Sequence, residues 1–181
     1  MSWRTRSVSF ELIPFAVASF RLSRNSSTIE ECESIFYDLH LNTDRLASQG
    51  QGMSVSEIAR LSMRHDIVRQ FATQFASAAW TKLQREAPLA LSVAEDLRLC
   101  RSFYRFDLLC GLIRAYSRAH SPSLESDMMI LLDIKWCALS WNSPWISEQI
   151  ACAHDFLESK LLEGIPLFPT VLPSETTNRS F

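Results

Sequence analysis

The sequence predicts an all-α fold, an irregular bundle of six to eight helices. Apolar residues recur at helical spacing in several long segments, and capping residues precede several of these segments. No segment alternates polar and apolar residues as a half-buried strand does, and only four glycines occur, which is few for a fold built on tight β-hairpins. We expect a single helical domain over residues 1–165 and a proline-containing extended tail over residues 166–181.

The overall composition limits the classes of function that this protein can have. With 47% hydrophobic and 21% charged residues, the chain is expected to be globular rather than disordered. Eighteen Lys and Arg against twenty Asp and Glu give a net charge of −2, without the basic surplus of a dedicated nucleic-acid binder. The apolar runs are well short of the roughly 18 residues that indicate a membrane span. The expected partner is therefore another protein, while the sequence leaves the oligomeric state open.

The first 24 residues have two interpretations. Four arginines, several serines and a single acidic residue, Glu11, are typical of a mitochondrial transit peptide and would make these residues a separate segment. The favoured alternative is a first bundle helix over residues 13–24, with Pro14 in its first turn, where proline is well tolerated. An odd number of cysteines and the lack of a clear signal peptide favour a reducing compartment. The expected location is the cytoplasm or the nucleus, and a transit peptide would indicate the mitochondrion instead.

The next elements are predicted from caps and breaks. Thr28 can cap a helix over residues 28–41, and the glycine-containing segment 42–52 is expected to be a loop. Ser54 and Glu57 form a capping box, which starts another helix. A turn is expected shortly afterwards, followed by a helix over residues 65–84.

The helix, turn and helix of residues 53–72 raise the question of DNA binding. A DNA-reading motif needs a small residue on its first helix and a branched apolar residue about ten positions later. With Ala59 in the small position, Arg69 falls in the apolar position, and the neighbouring register places Ile58 in the small position. An ordinary bundle corner is therefore favoured, and contacts from Arg60, Arg64 and Arg69 to phosphates remain an alternative.

The segment 93–118 is predicted to be the longest helix, started by a second capping box of Ser92 and Glu95. On a helical wheel Arg98, Arg101 and Arg105 share a sector of about 60°, and the polar stripe moves to the opposite face in the second half. Such a helix is expected to be central, with different neighbours at its two ends. The arginines are expected to pair with Glu95 and with neighbouring helices, and an acidic partner is the alternative.

Two further helices are expected, over residues 124–139 and from Ser143 to about residue 163. Ser143 is the expected cap, and Pro144 takes the first helical position. Trp136, Trp141 and Trp145 crowd the corner between these helices. Packing is the favoured role of this corner, and an exposed aromatic anchor for a partner is the alternative.

Sequence motifs for metal or cofactor chemistry are missing. The chain has no Glu-x-x-His pair of a di-iron bundle, no His-Glu-x-x-His and no Cys-x-x-Cys, so we expect neither a metal nor a cofactor. Four of the five cysteines lie in apolar helical patterns, where a small buried hydrophobe is the expected role. An enzyme with an unrecognised helical site remains the main alternative, with these candidate residues: His65, Asp66, Tyr104, Asp107 and His154.

Two motifs, with residues 61–76 upstream of them, carry a resemblance. Residues 95–106 read Glu-Asp-Leu-Arg-Leu-Cys-Arg-Ser-Phe-Tyr-Arg-Phe, and the second segment contains Ser143, Pro144, Trp145, Glu148, Cys152 and His154. Together they resemble motifs of a broad group of fungal all-helical proteins without an established activity. The resemblance covers about residues 61–157 and implies a fungal, intracellular, all-helical domain, but no activity and no site residue.

The favoured function is a non-catalytic helical scaffold or protein-interaction module. Missing catalytic motifs, a nearly balanced charge and plentiful aromatic residues favour it. The candidate partner-binding residues are Arg98, Arg101, Arg105, Trp141 and Trp145.

Overall fold

A computed structural model of the chain describes residues 8–23, 28–83, 91–119 and 143–163. Within these ranges the chain forms six α-helices and no strand, which confirms the predicted all-α fold. A short 3₁₀ helix, Phe10–Leu12, precedes α1 (Ile13–Leu22), α2 (Ile29–Leu41), α3 (Thr43–Gln51), α4 (Val55–Lys82), α5 (Val93–Ala119) and α6 (Pro144–Leu162). The predicted helix 124–139, Trp136, Trp141 and the predicted tail 166–181 lie outside the described residues.

The helix α5 is central, as its polar pattern predicts. It packs against α1, α2, α4 and α6. Its first half joins a core cluster with α4 and α6, consisting of Leu12, Ala16, Val68, Ala72, Cys100, Phe103, Tyr104 and Ala153. Its second half joins another cluster with α1, α2 and α3, consisting of Ala18, Leu22, Cys32, Ile35, Leu46, Leu108, Leu112, Ala115 and Tyr116. The two halves of α5 therefore bury different faces, which explains why its polar stripe changes sides.

The helix α1 belongs to the folded core. Pro14 lies in its first turn, and the helix contributes buried residues to both core clusters, as expected for a first bundle helix. Its residue Leu22 packs directly on Gly111 of α5, where an added Cβ atom would lie 3.1 Å from the Leu22 Cβ atom. Gly111 thus allows the close approach of a neighbouring helix that the sequence predicts at this position.

The predicted loop over residues 42–52 is wrong, because this segment forms α3. Leu46 is fully buried in the core cluster that includes α1 and α2. Arg45 donates a hydrogen bond of 3.3 Å to the buried carboxylate of Asp38 in α2. Gly50 brings the backbone of α3 close to Val17, since an added Cβ atom would lie 3.3 Å from the Val17 Cγ2 atom. The glycine therefore serves helix packing instead of breaking the helix.

The predicted turn within residues 53–72 is also wrong. The capping box of Ser54 and Glu57 is present, but it starts one continuous helix that runs to Lys82. No glycine or proline interrupts this segment, and its buried residues, His65, Val68, Ala72 and Ala76, recur at helical spacing on one face. Both the helix-turn-helix and the bundle-corner interpretation are therefore corrected. With 28 residues α4 is longer than α5, which has 27.

The remaining helix starts agree with their sequence signals. The Thr28 side chain accepts a hydrogen bond of 3.2 Å from the Glu31 amide, and Ser92 forms the second capping box with Glu95. Ser143 precedes α6 as predicted, although its side chain makes no capping hydrogen bond. Among the described helices, none is both long and apolar enough to cross a bilayer.

Candidate functional site

An apolar cavity of about 190 Å³ lies where α4, α5 and α6 meet. We call it the Trp145 groove, and its walls are formed by Phe75, Leu99, Ser102, Phe103, Trp145, Glu148, Gln149, Cys152 and Ala153. Trp145 is 62% exposed, although it is the largest apolar side chain of the wall. The groove therefore combines a hydrophobic interior with an aromatic side chain that faces solvent.

Helix spacing explains why α6 supplies so much of this wall. The start at Pro144 places Trp145, Glu148, Gln149 and Cys152 at intervals of three and four residues, so they share one face. Leu99, Ser102 and Phe103 follow the same spacing on α5. The groove is thus the seam between two matching helix faces.

Packed aromatic rings form the floor of the groove. Phe103 is buried, and its ring centroid lies 6.0 Å from that of Phe71 and 6.2 Å from that of Phe75. Phe156 of α6 completes the cluster, with its centroid 5.4 Å from that of Phe75 in an edge-to-face arrangement. Such interlocked rings hold one another in place, so the cavity is preformed.

Polar groups of the wall are distributed unevenly. The Ser102 hydroxyl lies 3.0 Å from the Arg98 carbonyl oxygen and 3.3 Å from Gln149 Oε1, so it can donate to either acceptor. Glu148 and Cys152, in contrast, are exposed at the rim. In the part of the chain that the structure describes, Glu148 has neither an ion-pair nor a hydrogen-bond partner. A molecule bound in the groove would therefore contact an apolar floor and one unpaired carboxylate, that of Glu148.

The three predicted arginines do not form a common exposed surface. Arg98 is exposed, whereas Arg101 donates to the Glu11 carboxylate of the 3₁₀ helix in an ion pair. The Arg105 guanidinium lies 5.4 Å from the centroid of the Phe15 ring, and its burial, followed by the charge of Arg101, lowers its pKa. Arg101 and Arg105 thus contact the 3₁₀ helix and α1 from α5.

The expected partner of these arginines within α5 is engaged elsewhere. The Glu95 carboxylate accepts hydrogen bonds from the amide of Ser92 at 2.8 Å and from its hydroxyl at 2.6 Å. These bonds lower the pKa of Glu95, so it carries its charge at neutral pH.

Of the two predicted tryptophan contacts, Trp145 lines the groove and Trp141 lies outside the described residues.

The candidate catalytic residues separate into different environments. His65 and Tyr104 are buried together, with 2.9 Å between His65 Nδ1 and the Tyr104 hydroxyl. Asp66 and His154 are exposed, and Asp107 is bound to an arginine. Two further cavities, of about 310 and 200 Å³, lie beside α1 and α3, and neither they nor the Trp145 groove has any of these five residues in its wall. The five side chains therefore do not converge on a described cavity.

A polar network that the sequence motifs do not reveal joins α1, α4 and α5. Arg64 donates from Nη2 to both carboxylate oxygens of Asp107, at 2.7 and 2.6 Å, and from Nε to the Ser19 hydroxyl at 2.7 Å. Ser19 in turn donates to Asp107. Arg60 places its guanidinium 5.4 Å from the centroid of the Phe20 ring. Two of the three arginines considered for phosphate contacts therefore contact other side chains of the protein, and Arg60 stays exposed.

The exposed face of α6 carries a second group that no sequence motif indicates. His154, Asp155 and Glu158 each bring one potential ligand atom within 4.8 Å of the others. Their spacing of one and four residues on a helix was the available signal. All three are exposed, and ligands from one face of one helix cover only one side of an ion. Exposed groups of this kind are common without a metal, and we assign no function to this one.

The cysteines divide between core and surface. Cys32 and Cys100 are fully buried, which matches the role predicted for them. Burial raises the pKa of the Cys32 thiol to about 11 and that of Cys100 to about 12. Cys110 is half-buried, Cys152 is exposed at the groove, and Cys137 lies outside the described residues.

Comparisons with known proteins give no match: the chain fits no protein-family model and is significantly similar to no curated protein and no solved structure. Its function is therefore inferred from its own geometry.

Proposed function

We propose that the protein is a non-catalytic interaction module that binds a partner protein at the Trp145 groove. The observation that carries the proposal is the 62% exposed Trp145 beside a preformed apolar cavity. Leaving a tryptophan in water forgoes the large favourable free energy of burying it. Tryptophan is also enriched among the residues that contribute most to protein–protein binding.

The size of the cavity favours a protein partner over a small ligand. Pockets for small molecules and cofactors measure about 300–1,000 Å³, whereas this cavity measures about 190 Å³. That volume suits one large aliphatic or aromatic side chain. A partner that inserts such a side chain would also cover Trp145, so the buried surface would extend beyond the cavity itself.

The structure gives less support to the two alternatives, an enzyme and a DNA-binding protein. The enzyme alternative would need a nucleophile or an acid–base pair held next to a substrate. The candidate residues for it are instead buried, paired or scattered over the surface. The DNA alternative would need Arg60 and Arg64 to be available to phosphates, and Arg64 is instead paired with Asp107, while the exposed Arg60 lies over the Phe20 ring.

The proposed contact residues differ in part from those that the sequence favours. Trp145 remains the central residue, and Glu148 and Cys152 join it at the rim; of the three predicted arginines, Arg98 is the exposed one. Arg101 and Arg105 receive a structural role.

The cytoplasm or nucleus remains the expected location and a fungal source the expected origin, both on sequence grounds alone.

The test compares captured proteins between variants of the full chain. Tagged wild type, Trp145→Ala and Phe10→Ala would be used on a nuclease-treated fungal lysate, with quantitative mass spectrometry. Phe10→Ala is a matched control, because Phe10 is an exposed aromatic residue that lines a different cavity. We expect at least one protein to bind wild type and the control but to lose about 30-fold or more in affinity for Trp145→Ala, as for a binding hot spot of 2 kcal/mol or more.

Thermal melts of the three proteins serve as the folding control. Because Trp145 is mostly exposed, Trp145→Ala is expected to melt cooperatively and close to wild type. Captured proteins that bind wild type and Trp145→Ala equally would refute the proposal.

A further inference from the structure

We infer that the segment bound in the Trp145 groove presents one large apolar side chain flanked by lysine or arginine. The inference rests on the proposed function and adds the chemistry of the partner. It follows from the charges along the two helix faces that form the groove.

Carboxylates continue both faces beyond the apolar wall. On α6, Glu148, Cys152 and Asp155 stand four and then three residues apart, so they form one stripe along the rim. On α5, Glu95 lies one turn before Leu99 on the same stripe. Glu148 thus lies in the wall itself, and Glu95 and Asp155 extend the same helix faces beyond it.

Positive charge near the groove does not balance these carboxylates. Arg98 is the exposed cation on this part of α5. The Arg101 guanidinium is paired with Glu11, and Lys160, further along α6, donates to Glu163 at 2.7 Å. Of these carboxylates, Glu148 has no partner in the described ranges, whereas Glu95 accepts hydrogen bonds from Ser92 and Asp155 Oδ1 lies 3.1 Å from His154 Nδ1. All three carboxylates are exposed, and together they carry more charge than Arg98 on these two helix faces.

Charge complementarity then selects the partner. A segment with acidic residues around its apolar anchor would meet these carboxylates, and like charges brought together across an interface oppose binding. A segment with lysine or arginine at the same places gains attraction and speeds the encounter, both in a salt-dependent way. The apolar side chain enters the cavity, and the basic side chains lie over the rim.

The test uses labelled synthetic peptides and fluorescence anisotropy with the full chain. Three peptides share one helical design: a central Phe flanked by Lys, the same peptide with Glu in place of each Lys, and the Lys peptide with Ala in place of Phe. We expect the Lys–Phe peptide to bind, and each of the other two to bind about tenfold or more weakly, a free-energy difference of about 1.4 kcal/mol. Binding of the Lys–Phe peptide should weaken as salt is raised.

Two charge-reversal variants locate the effect. Glu148→Lys should weaken the Lys–Phe peptide and strengthen the Glu–Phe peptide, because the reversed charge lies in the groove wall. Asp44→Lys is the matched control, since it makes the same reversal of charge at an exposed position of α3 that lines a different cavity. It should leave the preference between the peptides unchanged.

Several results would overturn the inference. They are equal binding of the Lys and Glu peptides, no binding of the Lys–Phe peptide, or an equal effect of the two variants. Self-association that depends on Trp145, measured by sedimentation, would identify a second copy as the occupant instead. A captured partner that depends on Trp145 but contacts it through an acidic segment would refute the charge preference and leave the proposed function intact. Capture that does not depend on Trp145 would remove both.

Discussion

The buried pair of His65 and Tyr104 is expected to make the stability of this protein depend on pH. His65 is 2% exposed, and Tyr104 is fully buried at a distance of 2.9 Å between Nδ1 and the hydroxyl oxygen. Burial, followed by the nearby charge of Arg69, lowers the pKa of His65 below its ordinary value of 6.5. The folded protein therefore holds this imidazole neutral at a pH where the unfolded chain binds a proton.

The sign and the size of the effect follow from this difference. Above pH 6.5 the imidazole is neutral in both states, so His65 adds no pH dependence. Below that value the unfolded chain takes up a proton that the folded protein refuses, and the free energy of unfolding falls. The limiting slope is about 1.4 kcal/mol per pH unit, and it ends at the pKa of the folded state.

The assay is urea denaturation at a series of pH values between about 5 and 8, with the free energy of unfolding taken by linear extrapolation. His65→Gln keeps a polar partner for Tyr104 but cannot titrate, so its stability should be nearly constant where that of wild type falls. His154→Gln is the control, because His154 is exposed, and it should keep the slope of wild type. If His65→Gln kept the slope, or if His154→Gln removed it, the reasoning would be refuted.

The same pair predicts the cost of losing the hydrogen bond. Tyr104→Phe removes the hydroxyl and leaves His65 Nδ1 buried without its partner, which should cost about 1–3 kcal/mol. For a chain of this size, each kcal/mol corresponds to a Tm lower by about 2–4 °C. An unchanged Tm at pH 8 would show that the hydrogen bond contributes nothing.

Helix packing and thiol reactivity give two further predictions. Gly111→Ala places a methyl group against the rigid Cβ atom of Leu22, so an overpacking cost of about 1–3 kcal/mol should exceed a gain in helix propensity of about 1 kcal/mol. Its urea midpoint should fall, while Gly52→Ala, which has room, should match wild type; the opposite order would contradict the close contact. Iodoacetamide should modify the exposed Cys152 well before the buried Cys100, and peptide mass spectrometry that found similar rates would show that Cys100 is accessible.

Helix starts were predictable because their signals are local. A cap acts within one turn, so Thr28 and the two capping boxes could be recognised from residues three positions apart. Helix continuity was less predictable. The turn expected after Ser54 does not exist, since the residues of α4 place an unbroken buried face against the core. Local breaks in an apolar pattern are a weak signal when a long helix packs against several neighbours.

The segment of α3 shows why composition can mislead. Its two glycines and polar residues are typical of a loop, but Leu46 is buried in a core that other helices complete. The burial of one leucine and the close approach at Gly50 are tertiary effects. The sequence of residues 42–52 alone could not predict this helix, because the residues that pack against it lie elsewhere in the chain.

By itself the sequence determined the all-α class, most helix starts and the central position of α5, because these depend on periodicity and on contacts within a turn or two. Only the tertiary structure decided which polar side chains remain available. Arg64 pairs with Asp107, 43 residues away in the sequence, and Arg101 pairs with Glu11, 90 residues away. Neither ion pair can be recognised from the sequence, because the partners are brought together only by the fold. The Trp145 groove belongs to the same category. Its walls come from three helices, and the exposure of its tryptophan depends on how closely those helices pack.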